Sequence, residues 1–549
     1  NFNLQLAGEL GDEVQILAAI TDENIPLQAE GNTQNLQEFD RLYIQLKRRQ
    51  TELTAGDYEL TRPQSYFMNY YKKLQGATLQ HTTEFASSKW MNKASVAVAR
   101  GKFARNMPLA LEGNQGPYKL RGNEGERFII ALAGTEKVFL DGELLERGIE
   151  RDYIIDYNRA ELTFTNQRLI TKDRRIIVEF EYATQNYLTS LYAVNSHYQH
   201  QKWDIYFNLY HQQDSKSAIG DSLQLSDEQR SALIQAGDEA TRAVVSSIDT
   251  LEAFSSLRVL YEYRDTTFEV NGNITRTQIL EYSTAETARL SARFSLVGQG
   301  NGDYVQSSTQ VAANGRVYEW IAPDSITGLP RGNYAPVIQL AAPQLQQLYT
   351  FGTTYDLNTN GSITTEFALS NNDQNRFSAL DEADDLGGAV YAQWKQNFGL
   401  GRQDKWKLET QATYEWVQAN FRALNPYRTA EFTRDWNVTS TDKKEEQLWQ
   451  ARAKFRHKNK GYWSYEYSQF MRDSIYAGAK QSTDFSFQDK GWKATGRASF
   501  LRTNTSLETT RFWRPKVMME KRFSKLANWT LGAFWEQERN ERSLSNTDS

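Results

Sequence analysis

The feature that most constrains this chain is an alternation of apolar and polar residues that recurs over most of its 549 residues. Successive side chains of a β-strand point to opposite faces, so a period of two predicts strands with one apolar face. In the run 406–416, for example, Trp406, Leu408 and Tyr414 alternate with Lys407 and Glu409. The same pattern recurs at 203–209, 288–296, 449–456 and 492–500. The chain is therefore predicted to be all-β.

Strand length and aromatic placement favour a barrel in a membrane over a soluble sheet. The periodic runs approach the 9–11 residues that a tilted strand needs to cross a bilayer. Aromatic residues make up 13% of the chain and stand at both ends of several apolar faces, as Trp406 and Trp416 do. A mean hydropathy of −0.68 is compatible with this, because only alternate residues of such a barrel face lipid. We expect a large antiparallel transmembrane β-barrel. A soluble β-solenoid or sandwich array, the alternative, does not explain the aromatic ends.

The two faces of each strand are expected to meet different surroundings. Polar faces rich in Lys, Arg and Glu suit a wet lumen, where these side chains either select what passes or pair with one another and brace the wall. The residues expected to line the lumen are Arg289, Arg293, Lys407, Glu409, Arg452, Lys454, Arg456, Lys493 and Arg497. The aromatic residues expected at the lipid interface are Trp203, Trp406, Trp416, Trp449, Trp492, Trp529 and Trp535.

A small β-domain is predicted to interrupt the barrel. Residues 1–115 supply the first barrel strands, and residues 116–183 begin at the turn cluster 113–117 and show shorter, continuously apolar runs. Asp141-Gly142, between two such runs, is a signal for a two-residue hairpin turn. We expect an inserted β-sandwich that plugs the lumen or binds a partner.

Residues 184–549 are expected to supply the remaining barrel strands, with long loops at 215–250 and 298–345. In the first loop, Ser226 and Gln229 have capping-box spacing and predict a short helix. The second contains Pro323, Pro330 and Pro336 and is expected to lie outside the membrane. Because the chain stops in the polar run 546–549, further strands or another chain are expected to complete the barrel.

No residue pattern predicts catalysis or a cofactor. The chain has no cysteine and 5 histidines, and it contains no nucleophile elbow, Walker A or zinc-protease motif. His197, His200 and His211 lack a convincing metal geometry, and the acidic loop 381–387 lacks the spacing of a calcium loop. A net charge of −5 gives no reason to expect nucleic acid. The protein is not expected to be an enzyme or to hold a cofactor or metal.

Three runs resemble large outer-membrane proteins of Bacteroidota-type bacteria, namely 18–28, 120–126 and 152–157. A small domain after about six strands is also similar in layout to the pilus usher, whose plug interrupts its barrel there, and to the translocon of type IX secretion. The chain departs from both, since it has no usher chaperone-binding domains and is far shorter than that translocon. The resemblance implies a bacterial outer-membrane location and a membrane complex.

Two functions follow from this organisation. The first is a gated translocation channel, a component of protein secretion or assembly whose lumen the domain 116–183 plugs. The second is a scaffold without transport that holds surface lipoproteins or assembly factors. A passive porin is the remaining alternative. Expected partners are outer-membrane lipid and periplasmic or surface lipoproteins or other barrel proteins.

Overall fold

The computed structural model divides into two compact units, which are described separately. Unit 1 comprises residues 1–215, 345–372 and 383–549, and unit 2 comprises residues 216–344 and 373–382. None of the helices among the described residues is long and apolar enough to cross a membrane. The structure describes residues 3–11, 13–21, 41–99, 102–122, 129–132, 134–148, 150–157, 160–183, 187–218, 225–239, 242–255, 258–312, 315–401, 405–438, 442–523 and 529–544.

The described part of unit 1 is built on one 19-stranded sheet. With strands numbered β1 to β37 along the chain, its members are β1 (Asn3–Leu10), β2 (Val14–Thr21), β3 (Arg41–Arg48), β4 (Thr51–Leu60), β5 (Lys72–Glu84), β6 (Ser88–Ala99), β15 (Tyr187–His200), β16 (Trp203–Ala218), β27 (Leu345–Asn358), β28 (Gly361–Asp373), β29 (Leu386–Leu400), β30 (Trp406–Val417), β31 (Glu446–His457), β32 (Gly461–Arg472), β33 (Tyr476–Asp489), β34 (Trp492–Thr505), β35 (Glu508–Phe523), β36 (Trp529–Glu536) and β37 (Arg539–Leu544).

Neighbouring strands of this sheet follow one another in chain order and are antiparallel. Two examples are the register of β30 on β31, which opposes Ala412 to Ala451, and that of β34 on β35, which opposes Phe500 to Trp513. β36 and β37 pair with successive parts of β35 and so share one strand position. The sheet curls into a barrel wall. The evidence is that the connection from β4 to β5 contacts β28 and β30 on the inner face of the sheet.

The connections of unit 1 differ at the two ends of the wall. At one end, the short-turn end, strands are joined by two to five residues, as at 49–50, 201–202, 359–360 and 458–460. The longer connections lie at the opposite, long-connection end. They include 61–71, 418–445 and the chain between β6 and β15, whereas two connections at this end, 473–475 and 506–507, are as short as those at the other end. Connection 418–445 includes a single-turn helix, α2 (Phe432–Asp435).

The chain between β6 and β15 forms a small sandwich, here called the inserted domain. One sheet contains β7 (Lys102–Asn106), β9 (Ile130–Ala131), β10 (Lys137–Leu140), β11 (Glu143–Leu144) and β14 (Ile176–Ala183). The other contains β8 (Tyr118–Lys119), β12 (Tyr153–Asp156) and β13 (Glu161–Phe164). Fully buried Leu120, Val138, Leu162 and Ile170 belong to their common core.

The hairpin predicted at Asp141-Gly142 is confirmed, since the two residues join β10 to β11 with positive φ of 52° and 85°. Positive φ at both central residues is the geometry of a type I′ turn, which favours Asp and Gly.

Among its described residues, unit 2 has one α-helix, α1 (Asp227–Ala236), and three small sheets. The capping box predicted for this helix is confirmed, because Ser226 and Gln229 cap each other's backbone N–H groups. The strands are β17 (Val244–Ser246), β18 (Ile248–Thr250), β19 (Tyr261–Val270), β20 (Asn273–Tyr282), β21 (Leu290–Ala292), β22 (Ser295–Leu296), β23 (Tyr304–Ala312), β24 (Gly315–Trp320), β25 (Tyr334–Ala335) and β26 (Val337–Gln339).

Unit 2 differs from the expectation of two loops separated by barrel strands. The alternating run 288–296 forms β21 and β22, which pair with β18, β19 and β25 and not with the barrel wall. A period of two identifies a strand but carries no information about which sheet receives it.

Gly76 marks a close approach of β5 to β6. A Cβ atom at this position would lie 2.1 Å from the Val96 carbonyl oxygen and 2.7 Å from the Ala97 Cα. Both are backbone atoms, so Gly76→Ala should force the strands apart and cost about 1–3 kcal/mol. On gel electrophoresis without prior boiling, a folded barrel runs as a compact band that disappears on heating. We expect this band to disappear at a lower temperature for the variant than for the wild-type protein. Gly8→Ala is the control, because its Cβ would meet its nearest neighbour at 3.5 Å.

Candidate functional site

Alternation along the wall strands separates an apolar outer face from a polar inner face. On β30, Trp406 is 41% exposed, whereas Glu415 on the opposite face is fully buried. Large exposed side chains recur on the outer face around the wall, as at Ile44, Phe351 and Phe367. Of the seven predicted interface tryptophans, Trp416 is half-buried and the others are 41–72% exposed.

Connection 61–71 folds back into the barrel and leaves Phe67 and Met68 fully buried. The segment is rich in aromatic residues, which supply the apolar surface that burial requires. Tyr66 stacks on Tyr391 of β29 with ring centroids 3.8 Å apart. At its start, Gln64 donates to Asp204, the second residue of β16, over 3.1 Å. The segment thus extends far down the lumen.

Glu366 of β28 holds this segment in place. Its carboxylate accepts from the backbone N–H groups of Tyr66 and Phe67 at 2.7 and 2.9 Å. It also accepts from the hydroxyls of Ser65 and Tyr206 at 2.7 and 2.5 Å. Glu366 is fully buried, and no cation pairs with it among the described residues. A buried carboxylate is costly without partners, so its stability here depends on these four donors.

A second anchor joins segment 61–71 to connection 418–445. The Tyr66 hydroxyl donates to Glu415 at 2.5 Å, and Arg428 Nε donates to the other oxygen of the same carboxylate at 2.9 Å. Burial, reinforced by Glu415, raises the pKa of Tyr66 far above its ordinary value, so its hydroxyl remains a donor. Arg428 also contacts Glu446 at 2.5 Å, and Glu446 accepts from Arg472 at 2.9 Å.

Residues 432–438 of connection 418–445 pack against the next strands of the wall, β31 to β35. Trp436 is 2% exposed, and the Arg428 guanidinium lies 4.4 Å from the Phe432 ring centroid. The inward-facing wall residues of this buried cluster are Leu448, Phe470, Tyr476, Leu501 and Phe512. Connections 61–71 and 418–438 therefore lie inside the wall, and we call them the internal plug. Most of their buried contacts are with the strand halves next to the long-connection end, while the start of 61–71 extends to Asp204 near the short-turn end.

Ion pairs and hydrogen bonds join the inserted domain to the wall and to the internal plug. Lys72 of β5 and Glu181 of β14 form an ion pair at 2.8 Å with side chains 5% and 6% exposed. Arg105 donates to the Ala430 carbonyl oxygen at 2.8 Å, and Arg175 Nε donates to Glu431 at 3.3 Å. These contacts fix the domain against β5 and against connection 418–445.

Seven of the predicted lumen residues lie on the inner face, between the internal plug and the short-turn end. Three bases have acidic partners: Arg452 pairs with Asp484 at 3.0 Å, Arg456 with Glu409 at 2.8 Å and Lys493 with Glu520 at 3.8 Å. No acidic partner is found for Lys407, Lys454 and Arg497 in the described part of the chain, and Lys454 lies over the Tyr462 ring.

The other residues and runs singled out from the sequence do not gather at one place in the structure. Arg289 and Arg293 flank β21 in unit 2 and are not part of the barrel wall. His197 bonds Asp204 on the inner face, whereas His200 and His211 lie on the outer face. The resemblance runs 18–28 and 120–126 lie partly outside the described residues.

The central residues of the internal plug were not identified from the sequence. Nothing in the alternating pattern singles out Glu366 or Glu415 from the other polar residues of their strands. One signal was present: connection 61–71 carries three tyrosines and a phenylalanine within six residues, 66–71, which is unusual for an exposed loop.

Comparison with known proteins gives one family match and remote structural similarities. No curated protein matches the chain. The crystal structure of Pseudomonas aeruginosa OpdQ is 8% identical with a TM-score of 0.30, covering 97% of this chain and 94% of that one. The crystal structure of Acinetobacter baumannii OccAB3 is 9% identical with a TM-score of 0.28, covering 96% and 87%. TM-scores this low establish no common fold. Residues 103–184, which cover most of the inserted domain, match a family model described as a domain of unknown function (DUF8818).

Proposed function

We propose that this chain is an outer-membrane β-barrel channel that its internal plug closes at rest, and that it serves translocation or secretion as a gated component. The observation that carries the proposal is a folded, hydrogen-bonded plug inside a wall whose outer face is apolar. Glu366 and Glu415, both fully buried, tie that plug to the wall.

Exposed apolar side chains support the membrane placement. Trp449, Trp492 and Trp535 are each about half exposed, and Leu531 is 70% exposed. Such residues recur on neighbouring strands, far beyond the apolar patch that a soluble monomer exposes. In lipid the same face is solvated, and the hydrogen bonds between neighbouring strands satisfy the backbone within the wall.

The unequal connections support an orientation. Outer-membrane barrels have short periplasmic turns and longer loops outside the cell. On that rule the short-turn end faces the periplasm, and the internal plug lies near the cell exterior. The charged inner wall around Lys454 then forms a vestibule that opens toward the periplasm.

The nature of the plug contacts favours gating over a permanently open pore. Hydrogen bonds and ion pairs such as those of Arg428 can exchange for water or for a partner's groups without breaking covalent bonds. A scaffold without transport would keep the same plug permanently shut, so conductance separates the two functions.

The test is reconstitution of the full chain into phospholipid vesicles and planar bilayers. We expect the protein to float with the vesicles and to show rare, large conductance steps separated by long closed periods. Failure to float would contradict the membrane barrel, and continuous conductance would contradict the plug. A barrel that stays shut even when Glu366 is replaced would favour the scaffold.

The three inward bases without acidic partners predict anion preference in the open state. Replacing Lys407, Lys454 and Arg497 by glutamine removes three positive charges from the vestibule. We expect the chloride-to-potassium permeability ratio to fall at least about twofold, because wall charge sets the local ion concentration. The reversal potential in a salt gradient measures this. Glutamine at the outward-facing Lys521 is the control, and an equal shift there would contradict the assignment.

A further inference from the structure

A pair of arginines lies on the outer face of the wall near its long-connection end. Arg502 of β34 and Arg511 of β35 are direct cross-strand partners. Their outward direction follows from their neighbours, since Leu501 and Phe512 are 2% and 4% exposed and belong to the inner buried cluster with Trp436. Both arginines are exposed.

This arrangement places two like charges directly opposite each other. Directly opposed residues of an antiparallel pair have Cα atoms only about 4.5–5.5 Å apart, and like charges there are destabilising. Neither Arg502 nor Arg511 forms an ion pair within the described part of the chain. The next outward neighbour of Arg511 is Glu541, whose carboxylate is already bound to Arg539 at 2.8 Å. The cluster of three arginines and one glutamate therefore carries a net positive charge.

The arginine pair lies one step beyond an aromatic pair. Phe500 and Trp513 oppose each other on the same two strands and are 36% and 43% exposed. Aromatic side chains at the margin of an apolar band mark the headgroup level of a membrane barrel. Arg502 and Arg511 follow them toward the long-connection end, where lipid phosphates lie. Two guanidinium groups offer the planar donor forks that match phosphate oxygens.

We propose that Arg502 and Arg511 together bind the phosphate of a membrane lipid in the leaflet at the long-connection end. This inference rests on the proposed membrane placement and adds a lipid site to it. The phosphate would neutralise the opposed charges, while its acyl chains lie along the apolar face that contains Phe500 and Trp513.

The test compares two lipids that differ only in the phosphate. The full chain in a neutral detergent is mixed with phosphatidic acid or with diacylglycerol of the same acyl chains, and native mass spectrometry counts the bound lipid. We expect retention of phosphatidic acid but not of diacylglycerol. The double variant Arg502→Gln with Arg511→Gln should lower that retention about tenfold, which corresponds to the loss of charge-assisted hydrogen bonds.

Matched variants keep the test specific. Arg497→Gln removes a charge from the inner face of the same strand and should leave lipid retention unchanged. Lysine at both positions 502 and 511 keeps the positive charge but lacks the paired donors of a guanidinium group. This variant should retain phosphatidic acid at an intermediate level. Equal retention by the double glutamine variant would overturn the site, and so would full competition by millimolar inorganic phosphate, which would identify an anion site with no lipid specificity. Failure of the wild-type protein to float with vesicles would instead overturn the membrane placement on which the site rests.

Discussion

Replacing Glu366 by alanine is expected to convert a mostly closed barrel into one that conducts continuously. The carboxylate accepts four hydrogen bonds, three of them from segment 61–71. Hydrogen bonds to charged groups contribute about 1.5–3 kcal/mol each, so the loss of two or more would raise the open population at least a hundredfold. Single-channel recording in planar bilayers measures the open fraction directly.

The controls separate loss of the plug from general damage. Glu366→Gln keeps an oxygen acceptor and should open the channel less than alanine does. Glu409→Ala removes another inward carboxylate, which pairs with Arg456 below the internal plug, and should leave the channel closed. If Glu366→Ala folds and floats but stays as closed as the wild-type protein, segment 61–71 is not the gate.

Local patterns in the sequence were sufficient for many strands of the wall, although residues 102–106, predicted among the first barrel strands, pair with β14 of the inserted domain. Wherever alternation was long, as at 406–416 and 492–500, the observed strands and their faces agree with it. The Asp141-Gly142 turn and the capping box at Ser226 were predictable for the same reason, since each depends on residues within four positions of one another.

The plug depends on contacts that no local pattern encodes. Tyr66 reaches Glu366 across 300 positions of sequence and Glu415 across 349. Before the wall curls, nothing distinguishes these carboxylates from Glu409, which lies on the same kind of face. The run 288–296 shows the same limit of local patterns. It was correctly predicted to be a strand, but it was assigned to the barrel wall and pairs with β18 of unit 2.

The ion pair between Lys72 and Glu181 should show the largest stability effect in the chain. Both side chains are almost completely buried, and they join a wall strand to the inserted domain. Removing one partner leaves an uncompensated buried charge, which costs about 3–5 kcal/mol. We therefore expect Lys72→Met alone, and Glu181→Leu alone, to release the inserted domain. Limited proteolysis between β6 and β15, together with the thermal midpoint of the folded band, measures this release.

Combining the two substitutions tests whether charge is the cause. Replacing a buried pair by apolar residues of similar volume is often neutral or stabilising. The double variant should therefore recover most of the stability lost in either single variant. Exposed pairs contribute little, so Lys460→Met, which breaks a pair with Asp489 at the short-turn end, should have almost no effect. If the double variant is as unstable as the single variants, the loss of stability comes from lost packing at this junction. The buried charges would then not be what holds the domain in place.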